Sequence, residues 1–411
     1  MNVQQTLVEA TRACIRGEQV NWPQDALTAQ QWEDLITLAC EQKVLPMVVQ
    51  SCYAAPAFLA QSQDFRRKVL SGSRQMVGAG ARRSVALGAL WERLERAGFH
   101  CVIMKGAACS SVYADSGVRL SSDEDILVPR EEFHDCIAFL KGQGFTFTSE
   151  SCDENSFEVG LERRDGLYIE LHHSPFAPDD PVLGGCNAWF EGREQRAMEV
   201  LVDGARLRVL GPQDHMLLLI VHAFKHLLGS GLGLRQVWDM VLWAESYGSR
   251  IDWQDIVEKC RSLRATGFAA AAFRLGQMYL DFSAEKACLP AELMTDAQTA
   301  QLLLDDLMSG GIYGKATRSQ LHSSTITLNA VAADRRGEKS TLLRTVFPPR
   351  ERLEKEYPYL KRTALLLPVA WGSRLLRYGA EVMKREDSDV SDAMRIGRSR
   401  TELLRRLDVL D

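Results

Sequence analysis

The chain has 411 residues, 46% hydrophobic and 25% charged, so it is globular in composition and has apolar material for a sizeable core. At roughly 100–200 residues per domain, two or three domains are expected. A net charge of −5 argues against a chain that coats nucleic acid through a general basic excess. It favours a small-molecule or protein substrate, although a local basic patch is still compatible with it.

The ten cysteines include no pair at Cys-x-x-Cys spacing, so they read as reduced core residues rather than a zinc ribbon. The opening stretch MNVQQTLVEATRAC has no long apolar run and does not read as a signal peptide. The late apolar run Ala364–Trp371 is far shorter than the roughly 20 residues a membrane helix needs. A soluble, cytoplasmic protein with no transmembrane segment is expected.

Residues 1–97 read as an N-terminal helical region. Trp32, Leu35, Ile36, Leu38 and Ala39 share one face at helical spacing. Thr28 with Gln31 three residues on predicts a capped helix start. Residues 98–210 change pattern. Cys101–Met104 is a short apolar run of strand length, followed by Lys105-Gly106 and a small-residue segment that suits a helix starting tight against a strand. Residues 117–122 read as loop, Asp125–Val128 as a strand ended by Pro129, and Glu131–Lys141 as a helix. Strands are predicted at 157–163 and 167–172 about Asp165-Gly166, and a second hairpin at 198–210 about Asp203-Gly204. Such a block predicts an α+β fold with a mixed β-sheet core flanked by N-terminal and C-terminal helical regions.

Helices return over 211–308. Pro212 opens one, and later helical patterns cover 234–246, 253–264, 267–280 and 297–308. Residues 309–411 read as a polar loop excursion to 340, a basic stretch over 341–385, and C-terminal helices, the last an exposed amphipathic one.

The stretch RLSSDEDILV, Arg119–Val128, carries the most chemistry. Strand side chains alternate, so Asp123 and Asp125 point one way and Glu124 the other. Two carboxylates on one face repel unless a cation sits between them, and oxygen ligands at this spacing suit Mg²⁺ beside substrate phosphates. Lys105-Gly106 lies one helix upstream, where a helix N-terminus offers amides to phosphate and Gly106 permits close backbone approach. In LYIELHH, Glu170 lies on the polar face of its strand with His172. If that strand neighbours the Asp125 strand, three carboxylates converge, as metal-assisted phosphoryl-type transfer requires.

Together these segments resemble the uncharacterised nucleotidyltransferase-like family of the DNA polymerase beta-like nucleotidyltransferase superfamily. The resemblance rests on VIMKGAA at 102–108, RLSSDEDILV at 119–128 and YIELHH at 168–173. It extends through DHMLLLIVHAFKH at 214–226 and RQVWDMVLWA at 235–244 to FPPRERLEKEYPYLK and LLLPVAWGSRLLRY. It implies a nucleotidyltransferase-fold core and a site in which Asp123, Asp125 and Glu170 bind Mg²⁺ (or Mn²⁺). It also implies a nucleoside triphosphate substrate. Read from their own places along the chain, Lys105, Gly106, Arg119 (which otherwise caps the loop), Ser122, His172, Lys225 and Arg235 are candidate nucleotide contacts. The superfamily's usual Gly-Ser turn is Lys105-Gly106 here, and its third carboxylate, more often Asp, is the longer Glu170.

Other residues carry two readings. His222 and His226 share a helix face but lack the glutamate of a zinc protease; they are buried structural groups or, with Lys225, the edge of the cleft. Arg235 and Asp239 form a helical ion pair or face the same cleft, and Trp238 and Trp243 read as core. The expected activity moves a nucleoside monophosphate from a triphosphate to a hydroxyl on a small molecule, protein or RNA. The alternatives are a toxin-like or regulatory transferase acting on tRNA or protein, and an inactive nucleotide-binding protein.

Overall fold

The computed structural model describes residues 2–309, except 19, 21, 23–26, 150–152 and 230, together with residues 402–409. The expectations for the loop at 310–340 and the basic stretch at 341–385 lie outside the described residues.

The N-terminal part is helical: α1 (Val3–Arg16), α2 (Ala29–Glu41), α3 (Leu45–Cys52), the single turn α4 (Pro56–Leu59) and the long α5 (Gln63–Arg96). The capping box predicted for α2 is present. The Gln31 amide donates to Thr28 Oγ1 at 3.2 Å, and the Thr28 amide donates to Gln31 Oε1 at 2.9 Å. Two of the four orphan amides at that helix start are thereby satisfied.

Among the described residues, seven strands form one mixed sheet: β1 (Val102–Ile103), β2 (Glu124–Leu127), β3 (Thr146–Phe147), β4 (Glu158–Glu162), β5 (Tyr168–His172), β6 (Met198–Val202) and β7 (Ala205–Val209). Their spatial order is β3-β4-β5-β2-β1-β7-β6. β2 pairs parallel with β5 and antiparallel with β1, and β1 pairs parallel with β7. The expected hairpins are β4–β5 and β6–β7. Asp203 and Gly204 both take positive φ, the backbone that a tight turn between twisted strands favours. The short β3 was not foreseen. The one-turn α6 (Ala107–Ser110) follows β1, and α7 (Phe133–Gly142) follows β2.

The one-turn α8 (Arg193–Arg196) leads into β6. The helices α9 (Pro212–Leu228), α10 (Leu234–Tyr247), α11 (Trp253–Ser262), α12 (Thr266–Tyr279) and α13 (Ala297–Ser309) then close the described chain to 309. α9 and α10 are buried nearly all round, with Leu217, Ile220, Phe224, Val237, Trp238 and Trp243 at or near zero exposure. Trp238 and Trp243 are therefore core, as expected. No helix among the described residues is long and apolar enough to cross a membrane. The C-terminal segment departs from expectation. Where an exposed amphipathic helix was predicted, Leu403, Leu404, Leu407 and Val409 are buried, and Gly267 of α12 comes so close to the Leu407 carbonyl that a Cβ would collide there. The apolar stripe of that segment is covered because α12 offers a small residue at the contact.

Two buried polar groups sit where α9 and α10 meet the sheet. His215 is fully buried and stacks on Trp243 at 3.9 Å between ring centroids. Burial pushes its imidazole down from 6.5 to about 3, with Arg119 adding to the effect and Asp239 opposing it. The neutral ring is thus the native form, so its contribution to stability is complete above pH 6.5 and is lost as the pH falls toward 3. His215→Gln is expected to lose less stability than the wild type on acidification through that window, read by urea unfolding at stepped pH. The second group is Asp239, paired with Arg119 at 2.7 Å with both side chains at most 4% exposed. Asp239→Ala strands the guanidinium without a counter-charge, and a loss of about 3–5 kcal/mol is expected in the same unfolding experiment.

Candidate active site

The site forms where β2 and β5 run side by side. Their parallel register sets Asp125 opposite Glu170 and Glu124 opposite Ile169. Period-two alternation then puts Asp125, Glu170 and His172 on one face and sends Glu124 to the other. Ligand atoms of Asp125, Glu170 and His172 all lie within 4.8 Å of one another. Asp123 stands just before β2, half-buried at the rim of the cleft that Asp125 lines. Its Oδ1 accepts from Ser122 Oγ at 2.9 Å. Gly160 of β4 faces Glu170 across the β4–β5 ladder. A Cβ there would crowd Thr148 Oγ1 and the Tyr168 hydroxyl, and that hydroxyl donates to Glu170 Oε1 at 3.2 Å.

Charge is unevenly held in this cluster. Burial opposes ionisation of Asp125, but the Lys105 ammonium, 2.7 Å from its Oδ1, and the nearby His172 outweigh burial and hold its carboxyl far below the usual range. Glu170 goes the other way: burial and then the negative charge of Asp125 raise its pKa. Two neighbouring carboxylates thus have opposite proton affinities, a pattern frequent at catalytic centres.

Lys105 connects the cluster to α9. Its Nζ lies 3.0 Å from His222 Nε2, and His226 Nε2 lies 3.2 Å from the same His222 nitrogen. Burial, then Lys105, pushes His222 well below 6.5, while burial with Lys105 and Lys225 pushes His226 to about 3. His222 is therefore a neutral acceptor beside the ammonium. His222 lines the cleft, whereas His226 is buried and does not line it.

Gly106 has φ +57, and a Cβ on it would collide with the Glu124 carboxylate. Behind it the Ala107 amide donates to Glu124 Oε2 at 2.9 Å. Burial raises the Glu124 carboxyl to about 7, with that amide opposing the rise. The first amide of α6 is thus already taken by the chain's own carboxylate, and α6 is a single turn. Lys105 and Gly106 line the cleft, whereas Ala107 does not.

The remaining sequence candidates divide. Arg119 lines the cleft but spends Nε and Nη2 on Asp239, at 3.2 and 2.7 Å, and Tyr113 donates to the same carboxylate at 2.9 Å. Asp239 thus pairs with Arg119 rather than with Arg235 one turn away. Arg235 also lines the cleft and donates to the Leu120 carbonyl, tying the loop before β2 to α10. Ser122 is exposed beside Asp123. Lys225 is exposed and does not line the cleft. Sequence reasoning missed Lys43, whose pKa is lowered by burial and by Arg235 and raised by Asp123. It lies in the turn between α2 and α3, and no motif marks it.

A search of curated proteins gives no match. Among solved structures, the chain is similar to an antigenic nucleotidyltransferase-like protein from Paracoccidioides brasiliensis, at 15% identity and a TM-score of 0.33 over 50% of this chain and 92% of that one. So loose an overlap passes nothing about function from one to the other. Residues 28–281, more than half of the chain, match the family described as uncharacterised nucleotidyltransferase, and the chain belongs to that family.

Proposed function

We propose that this protein transfers a nucleoside monophosphate from a nucleoside triphosphate to a hydroxyl-bearing acceptor. The observation that carries this reading is the Asp125–Glu170 pair, set opposite each other on one sheet face beside Lys105. Asp123, Asp125 and Glu170 are the residues to hold Mg²⁺ or Mn²⁺. The orphaned, buried nitrogens of His172 beside two of these carboxylates fit a cation at this place. A bound divalent ion would neutralise triphosphate charge at the reacting phosphorus.

The side chains divide the remaining work. Lys105, a point charge on a flexible stem that pairs with Asp125, would turn toward phosphate oxygens if Asp125 held a metal ion. Gly106 leaves room for the Glu124 carboxylate behind the turn, and Arg235 supplies positive charge at the cleft. Arg119 acts through Asp239 by holding the loop that carries Ser122 and Asp123. The acceptor oxygen bonds to the α-phosphorus, the bond to the β-phosphate breaks, and pyrophosphate leaves. One of the site carboxylates takes the acceptor's hydroxyl proton. The free cysteines among the described residues accord with a cytoplasmic location.

A second reading has its own observation. The Lys105–Asp125 ion pair already neutralises the deepest carboxylate, as expected of a protein that binds nucleotide without turnover. Calorimetric titration with ATP, GTP, CTP and UTP, with and without Mg²⁺, tests both. The wild type is expected to bind at least one triphosphate only when the metal is present. Asp125→Asn is expected to abolish that metal-dependent binding. Lys105→Ala is expected to weaken it about tenfold or less, as loss of one charged contact of roughly 1.4 kcal/mol would. Absence of binding under every metal condition overturns the transferase reading. Binding without pyrophosphate release across acceptor classes favours the binding protein.

A further inference from the structure

We infer that His172 is a direct metal ligand, so that the site takes a nitrogen donor beside its carboxylates and selects Mn²⁺ over Mg²⁺. This deepens the metal reading given above and rests on it.

His172 ends β5 with its side chain 5% exposed, yet neither ring nitrogen makes a hydrogen bond. A buried imidazole with both nitrogens orphaned is costly. The surroundings are not apolar, so its partners are not missing for want of polar groups. Nε2 stands 3.5 Å from Asp125 Oδ1 and 3.8 Å from Glu170 Oε2. Both spacings exceed a hydrogen bond. They fall inside the ~4.2 Å that separates at most two donors each about 2.1 Å from one ion.

The other ring nitrogen completes the pattern. Nδ1 stands 3.5 Å from Glu158 Oε2, and Glu158 is the β4 residue directly opposite His172 in the ladder. Metal-bound imidazoles present their second nitrogen to a carboxylate in this way, which fixes the tautomer and the ring plane. Leu127 is the β2 partner of His172, so the ring is held between an aliphatic neighbour and an acidic one. Glu158 is a positioning residue; His172 is the ligand.

The donor set decides the ion. Mg²⁺ demands oxygen ligands and keeps most of its water. An imidazole adds little for it and much for first-row transition ions. One imidazole added to the carboxylates therefore shifts preference toward Mn²⁺, the softer ion that still accepts carboxylate and phosphate oxygens.

The test uses nucleotide-free full-length protein with Mn²⁺ alone, followed by electron paramagnetic resonance, with Mg²⁺ as competitor. The wild type is expected to bind Mn²⁺ at least about tenfold more tightly than Mg²⁺ and to show the pulsed-resonance modulation of a directly bound ¹⁴N. His172→Gln is expected to lose that modulation and to weaken Mn²⁺ by about tenfold or more, with Mg²⁺ changed by no more than about threefold. Glu158→Gln is expected to keep the modulation and weaken Mn²⁺ by a smaller factor. Bound Mn²⁺ without nitrogen modulation in the wild type overturns the inference whether or not the variants fold, and leaves the carboxylate metal reading standing. No Mn²⁺ binding without nucleotide overturns it as well. Only a further failure to bind metal with ATP present would bring down the transferase reading.

Discussion

The Asp125 carboxylate is a charge held at the centre of a sheet, and the groups around the site answer to that constraint. Removing an ionised carboxylate from water costs several kcal/mol even after relaxation, so β2 is tolerable only if cations surround its outer end. Lys105 supplies one from the turn after β1. The imidazole of His172, two residue pairs along the parallel ladder, adds a polar neighbour from β5. The same desolvation that makes the charge costly strengthens any ion that replaces the lysine, because opposite charges attract more strongly away from bulk water. Structural burden and binding capacity thus have one physical source.

The helices act on the site through a second buried charge. Arg119 and Asp239 are each nearly sealed from solvent, and Tyr113 and Arg235 add bonds around them. This network fastens the loop preceding β2 to α10, and α10 packs against α9, which carries His222 to Lys105. The loop bearing Asp123 is therefore held by the helical region rather than by the sheet alone. Glu124, turned to the far side, closes the start of α6 by accepting the Ala107 amide. Alternate residues of one strand thus serve the cleft and the backbone behind it.

Several parts were legible because each has a local cause. Thr28 and Gln31 state a helix start in four residues, and Asp203-Gly204 states a turn in two. The alternation of Ile169 and Leu171 with Tyr168, Glu170 and His172 states a strand with one buried face. The run over Met216–Leu228 states a buried helix by its composition. The capping of α6 was not legible, since its first amide is taken by a carboxylate seventeen residues away. Burial of Leu403 and Leu407 was not legible either, since an amphipathic stripe looks the same whether or not a partner covers it.

The sequence by itself determined the parity of the site: Asp125 and Glu124 on opposite faces, and Glu170 and His172 on one face, because a strand repeats every two residues. It also determined the family, through the order of Lys-Gly, Asp-x-Asp and Glu-x-His-His along the chain. Only the tertiary structure decided that β2 lies beside β5, that Arg119 pairs with Asp239 at the cleft wall, and that His172 faces two carboxylates on one nitrogen and Glu158 on the other. Strand order and side-chain pairing across 120 residues depend on packing free energy summed over the whole core, and no local spacing encodes that sum.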